Sequence, residues 1–83
     1  VLFMNLSVQQ RIQKILGSVF ISHKGGFPDE YGPEDVEGWD SIGHLDLVMA
    51  ICDEFEIELE FEEVMAIEKV GDISKTLEKK GIA

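Results

Sequence analysis

The stretch that decides the fold is Asp40-Ser41-Ile42-Gly43-His44-Leu45-Asp46-Leu47-Val48-Met49-Ala50-Ile51-Cys52-Asp53-Glu54-Phe55. Asp40 suits an N-cap, because its carboxylate can accept from the backbone N–H groups that a helix start leaves unpaired. From about Ser41 to Phe55 the apolar residues return every three or four positions, the period of a helix. At about 100° per residue, Leu45, Val48, Ile51, Cys52 and Phe55 fall on one side and are expected in the core, with Cys52 as a small apolar residue. Ile42 and Met49 fall on a different side among Asp46 and Asp53, forming an outward strip suited to docking. Ser41 opens this helix within a strongly acidic stretch: residues 25–68 hold 15 of the 17 acidic residues and no Lys or Arg. A serine hydroxyl in so negative a surface points to attachment rather than catalysis.

Working outward, Ser7 and Gln10 have the spacing of a capping box, and a first helix is expected to run to about Phe20. Its apolar face is Val8, Ile12, Ile15, Leu16, Val19 and Phe20, leaving Gln9, Arg11, Gln13 and Lys14 toward solvent. Between Ile21 and Gly38 the periodicity stops, and Gly25-Gly26, Pro28, Gly32 and Pro33 punctuate a long ordered loop. On the other side, Phe55 to Phe61 alternates apolar and acidic residues, a period of two that by itself favours a strand. With no second strand to pair with, it reads as an extended connection that drops alternate side chains onto the helices. A short helical turn follows around Glu62 to Ile67, then a last helix from about Val70 to Lys80. Val70, Ile73 and Leu77 face inward there, Lys79 and Lys80 suit the negative end of the helix dipole, and Gly81 stops it.

A length of 83 residues bounds the chain to a single domain, 1–83, with residues 1–6 expected to fray. The core is limited and leaves little room for a deep active site. A net charge of −10 repels phosphate backbones and anionic lipid, so neither nucleic acid nor membrane is an expected partner, whereas basic protein surfaces are. The single cysteine excludes an internal disulfide framework, and no His/Cys spacing suits zinc, so the expectation is a cytoplasmic chain without a metal. Val1 to Met4 is too short an apolar run for a signal peptide, and no run approaches membrane-spanning length. A calcium loop from Asp29 to Asp40 fails for want of alternating oxygen ligands and a closing glutamate.

A hydrolase-like set of Ser41, His44 and Asp40 fails as well. A nucleophile elbow needs glycine two residues before the serine, where Trp39 stands, and a small helical domain lacks the strand and oxyanion loop. His44 is expected at the surface or edge, and His23 in the loop has no ligand partner at metal spacing. No catalytic residue is expected, and the chain is read as a non-enzyme.

Gly38-Trp39-Asp40-Ser41-Ile42, followed by Leu45-Asp46-Leu47-Val48-Met49-Ala50 and Glu54-Phe55, resembles the acyl carrier protein family. Arg11-Ile12-Gln13-Lys14-Ile15-Leu16-Gly17 resembles that family's first helix, and Glu62-Glu63 with Ile67 and Val70 its third and fourth. The resemblance implies an all-α, antiparallel four-helix bundle of three long helices and one short, with a long first loop and Trp39 near the prosthetic site. It implies that a phosphopantetheinyl transferase esterifies Ser41 with the 4'-phosphopantetheine of coenzyme A, assisted by Asp40. The arm would carry acyl intermediates as thioesters for fatty-acid or specialised, polyketide-like biosynthesis. Asp46, Asp53 and Glu54, with Ile42 and Met49, would then meet basic surfaces of synthase and acyl-transfer enzymes. Val48, Cys52, Leu59 and Ile67 would line an acyl pocket, and a monomer is expected.

Two departures from the fatty-acid carriers stand out: Gly43-His44 replaces an acidic and a small polar residue, and Cys52 stands where acidic residues are common. Generic and specialised carriers both stay open on these residues. The alternative of another class is an unmodified acidic helical module that binds proteins through Ile42 and Met49, and it would keep docking when Ser41 is replaced by alanine.

Overall fold

The capping box at Ser7 forms as its spacing requires: the Ser7 Oγ accepts from the Gln10 N–H at 3.1 Å, and the Gln10 Oε1 accepts from the Ser7 N–H at 2.9 Å. In this computed structural model, which describes residues 7–82, α1 spans Val8–Val19 and ends at Phe20. The expected fraying of residues 1–6 lies outside the described residues. Three further helices follow, α2 Ser41–Phe55, α3 Phe61–Ala66 and α4 Val70–Lys79, and the described residues contain no strand. The expected all-α bundle of three long helices and one short is therefore what the chain forms, with α1 packed against both α2 and α4.

The core takes Ile12, Leu16 and Phe20 from α1 and its end, Leu47, Ile51 and Phe55 from α2, and Val70, Ile73 and Leu77 from α4. The long loop adds Phe27, Val36 and Trp39, so it is a packed part of the bundle. Two sets of hydrogen bonds fix it. The Gln13 side chain donates to the Phe27 carbonyl at 2.8 Å and accepts from the Phe27 N–H at 3.1 Å. The carbonyls of Tyr31 and Asp29 accept from the Val70 and Gly71 N–H groups at 2.8 and 2.9 Å, pairing donors that the start of α4 would otherwise leave open.

Gln13 is thus half-buried rather than turned to solvent, and so is Arg11. The Arg11 Nε donates to Glu54 at 2.8 Å, its Nη2 donates to the Glu54 carbonyl at 3.1 Å, and its guanidinium lies 4.3 Å over the Phe55 ring. One cation therefore offsets the unfavourable carboxylate at the negative end of α2 and pairs a terminal carbonyl there.

The face of α2 differs from the expected one. Its buried positions are Gly43, Leu47, Val48, Ile51 and Phe55, while Leu45 is 57% exposed and Cys52 only half-buried. Leu45 and Leu47 both satisfy a spacing of three or four to later apolar residues, so periodicity alone does not choose between them. Gly43 chooses: it lies against the Gly38 carbonyl and the Phe20 ring, and the line Gly43, Leu47, Ile51, Phe55 then runs inward at intervals of four.

After α2, Glu56 turns the chain in the left-handed region (φ 54°), and Ile57 and Leu59 pack partly against the core as the alternation predicts. Phe61 does not follow them: it opens α3 and is 75% exposed. No residue of α3 is fully buried. Glu63 ties this helix down, its Oε1 accepting from the Glu60 N–H at 2.7 Å and pairing with the Lys80 Nζ at 3.0 Å. The Glu60 N–H first, and Lys80 second, hold the Glu63 carboxyl below the usual carboxylate range.

The register of α2 predicts unequal costs for its two leucines. Leu47→Ala should lower unfolding free energy by about 2–5 kcal/mol, and Leu45→Ala should stay within about 0.5 kcal/mol of the parent. Urea denaturation of the two variants checks this, and equal losses would contradict the register.

Candidate functional site

The start of α2 gathers the chemistry that the sequence singles out. Asp40 caps the helix in extended geometry (φ −107°, ψ −165°), its Oδ1 accepting from the Gly43 N–H at 2.8 Å while its carbonyl accepts from the His44 N–H at 2.8 Å. Ser41 is the first residue of the helix and is exposed. The N–H groups of Ser41 and Ile42 belong to the first turn, where a helix has no internal acceptors, so they and the positive end of the dipole favour an anion beside the Ser41 hydroxyl. A phosphodiester on that hydroxyl fits the donor set.

Beneath Ser41 the backbone is held by a contact only glycine permits. A Cβ on Gly43 would run into the Gly38 carbonyl oxygen and come within 3.1 Å of the Phe20 ring. Gly38 itself has φ +92°, in the left-handed region that favours glycine. The pair lets the end of the long loop press against the first turn of α2.

Trp39, the residue between them, is 3% exposed and stacks on Phe20 with ring centroids 5.5 Å apart. Its Nε1–H donates to the His44 Nδ1 at 3.0 Å, and the His44 Nε2 lies 2.9 Å from the Val64 carbonyl. His44 is half-buried, an edge position as expected, but it also bridges α2 to α3, which its spacing does not signal. It is not arranged as a base for Ser41, because both ring nitrogens are engaged elsewhere. His23 likewise sits against the Gly26 carbonyl at 2.9 Å. No group of three or more potential metal ligands occurs among the described residues.

The outward surface is apolar and acidic together. Ile42 and Met49 are 72% and 64% exposed, and Asp46 and Asp53 are exposed beside them on the projection. Leu45 joins this face, having been misassigned to the core by its spacing. Phe61 and Met65 on α3 are exposed as well, so among the described residues five of the six large exposed apolar side chains lie on α2 and α3. The sequence reading missed Phe61 because it continued the alternation one residue too far. Glu54 stands apart from the set, since its carboxylate is engaged by Arg11.

Of the four residues expected to line a pocket, Val48 and Ile67 are buried, and Cys52 and Leu59 are half-buried. Burial first, and then Asp53 and Glu58, push the Cys52 thiol above its ordinary range, against a lowering hydrogen bond from the Leu59 backbone. A shallow cavity between α1 and the end of α2, lined by Arg11, Lys14, Ile15, Ser18 and Glu54, lies outside this set. No helix among the described residues is long and apolar enough to cross a membrane.

No protein-family model matches the chain. Among characterised proteins it is similar to the acyl carrier protein of Bdellovibrio bacteriovorus, with 35% identity over 69 residues covering 78% of this chain and 88% of that protein.

Two outcomes test the local geometry. Gly43→Ala should destabilise by about 1–3 kcal/mol, although alanine in an open helical site gains about 1 kcal/mol; a stabilised variant in a denaturant titration would contradict the close approach. With its thiol pKa raised, Cys52 holds less thiolate at neutral pH than an ordinary cysteine. Iodoacetamide should therefore alkylate it more slowly than free cysteine at pH 7, and equal or faster labelling would contradict its environment.

Proposed function

The chain belongs to the acyl carrier protein family, and we propose that it carries acyl groups as thioesters on a 4'-phosphopantetheine arm esterified to Ser41. One observation carries this reading: Ser41 is an exposed hydroxyl at the first position of α2, beside the capping Asp40, in the run of residues that resembles the family's attachment motif. In the transfer, the Ser41 Oγ forms a bond to the phosphorus that bears the pantetheine arm. The pyrophosphate bond of coenzyme A breaks, adenosine bisphosphate leaves, and the serine proton passes to a base of the transferase. When attached, the arm supplies the thiol that takes acyl groups.

The residues around Ser41 then have separable roles. Asp40 keeps the first turn in place and presents its second carboxylate oxygen to the transferase, assisting modification. Ile42 and Met49 fill shallow apolar pockets on partner enzymes, joined by Leu45, while Asp46 and Asp53 meet Lys and Arg there. Charge of one sign speeds encounter and keeps it salt-sensitive, which suits a carrier that must visit and leave several enzymes. Glu54 contributes less, being neutralised by Arg11. Val48, Cys52, Leu59 and Ile67 are the residues placed to shelter an acyl chain.

We place the protein in the cytoplasm as a monomeric single domain serving fatty-acid or more specialised acyl transfer. The chain supplies no catalytic group to the reactions of its cargo. Gly43 and His44, which depart from the fatty-acid carriers, support the specialised branch.

Intact mass before and after incubation of the apo protein with a promiscuous phosphopantetheinyl transferase, magnesium and coenzyme A tests the reading. A gain of one phosphopantetheine that Ser41→Ala lacks is expected. No gain in a folded apo sample would favour the unmodified binding module. For the docking surface, reversing charge at both Asp46 and Asp53 to Lys should slow transferase modification by at least about tenfold at low salt with the fold intact. An unchanged rate would remove these carboxylates from the interface.

A further inference from the structure

α3 is the least secured element of the bundle. It has six residues and no buried side chain, and a helix so short is not stable by itself in water. Its neighbours Leu59 and Ile67 reach the core, while the helix itself is attached through polar ties. Glu63 pairs with Lys80 at 3.0 Å. At the next residue, the Val64 carbonyl, which also accepts from the Ile67 N–H at 3.3 Å, lies 2.9 Å from the His44 Nε2.

The chemistry of its two partners defines the state of the His44 ring. The indole Nε1–H of Trp39 can only donate, so the His44 Nδ1, 3.0 Å away, must present a lone pair. The Val64 carbonyl can only accept, so the His44 Nε2 must carry the proton. One neutral tautomer satisfies both bonds at once. It also pairs an indole N–H on a side chain that is 3% exposed, where an unpaired donor is costly. Trp39 in turn stacks with His44 at 6.2 Å and with Phe20 at 5.5 Å, which anchors the ring to the end of α1.

We propose that His44 is a positioning residue that latches α3 onto the first turn of α2 through its Nε2–H tautomer, and that this latch keeps the two helices from parting. Val48 and Cys52 lie on α2, and Leu59 and Ile67 flank α3, so a chain sheltered among them has to move α3 against the His44 bond. Short acyl groups leave the latch closed and stay outside the bundle; long apolar chains are sheltered only when it breaks. This consequence for cargo rests on the carrier reading above, whereas the latch itself does not.

The latch is tested on the unmodified protein. Long-range 1H–15N correlation should show His44 with Nδ1 unprotonated and Nε2 protonated; the opposite tautomer would overturn the proposal. Amide hydrogen exchange across residues 64–67 should accelerate about tenfold in His44→Phe, which keeps the ring but loses both bonds. His44→Gln, which offers an acceptor and a donor, should restore most of the protection. Folded His44→Phe with unchanged exchange in α3 would overturn the latch, and if that variant does not fold, the tautomer decides alone.

The cargo arm uses protein loaded from acetyl- and decanoyl-coenzyme A by the transferase. Chemical shifts of Val48, Leu59 and Ile67 should stay unchanged with acetyl, and with decanoyl should move less in the parent than in His44→Phe, any movement in the parent coming with loss of the His44 bond; equal movement in the two proteins would overturn the guarding role. Decanoyl burial in the parent with the His44 bond intact would overturn it too. Failure to load either group counts against the carrier reading and leaves the tautomer and exchange results standing.

Discussion

The close approach of Gly43 to the Gly38 carbonyl and the Phe20 ring is the constraint on which the rest of the arrangement depends. It fixes the rotation of α2 about its own axis, because a helix face that presses backbone against backbone cannot turn by even one residue. With Gly43 inward, Leu47, Ile51 and Phe55 follow it into the core, and Ile42, Leu45 and Met49 are turned to solvent. Asp40 caps the same turn, and Ser41 is left exposed at its start. A single packing decision therefore sets both the interior of the bundle and the surface beside Ser41.

Charge is distributed with a similar division of labour. A net charge of −10 works against compactness through self-repulsion. Arg11 and Lys80 answer it locally, each joining two helices through an ion pair, Arg11 at the end of α2 and Lys80 at α3. Such half-exposed pairs contribute little free energy individually, but they hold the termini of elements where the backbone lacks partners. The carboxylates of Asp46 and Asp53 lie on the outward face with the apolar strip. Attraction for a basic surface and a place for an apolar contact are thus offered together.

Much of the fold was legible because local signals agreed. Ser7 and Gln10 formed the expected box, and Val70, Ile73 and Leu77 made one unambiguous stripe on α4. Ser41 and Asp40 were legible for the same reason, as a cap and the residue after it. The face of α2 was not, since Leu45 and Leu47 fit the period equally and only a tertiary contact at Gly43 separates them. Arg11 and Gln13 looked like solvent-facing residues until the end of α2 and the Phe27 backbone were seen to need their donors. The Trp39, His44 and Val64 chain could not be read at all, because it closes across 20 residues of sequence between His44 and Val64. Nothing local to α3 signals that its carbonyl would be met by a histidine from α2.

The most direct test of the account concerns the protein as its own cell makes it. Mass spectrometry of tryptic peptides from protein purified without added transferase would locate any modification within residues 25–69, the segment between Lys24 and Lys69. The account predicts a phosphopantetheine on Ser41 that is ejected on fragmentation. A population wholly unmodified at Ser41, in cells with an active transferase, would contradict it.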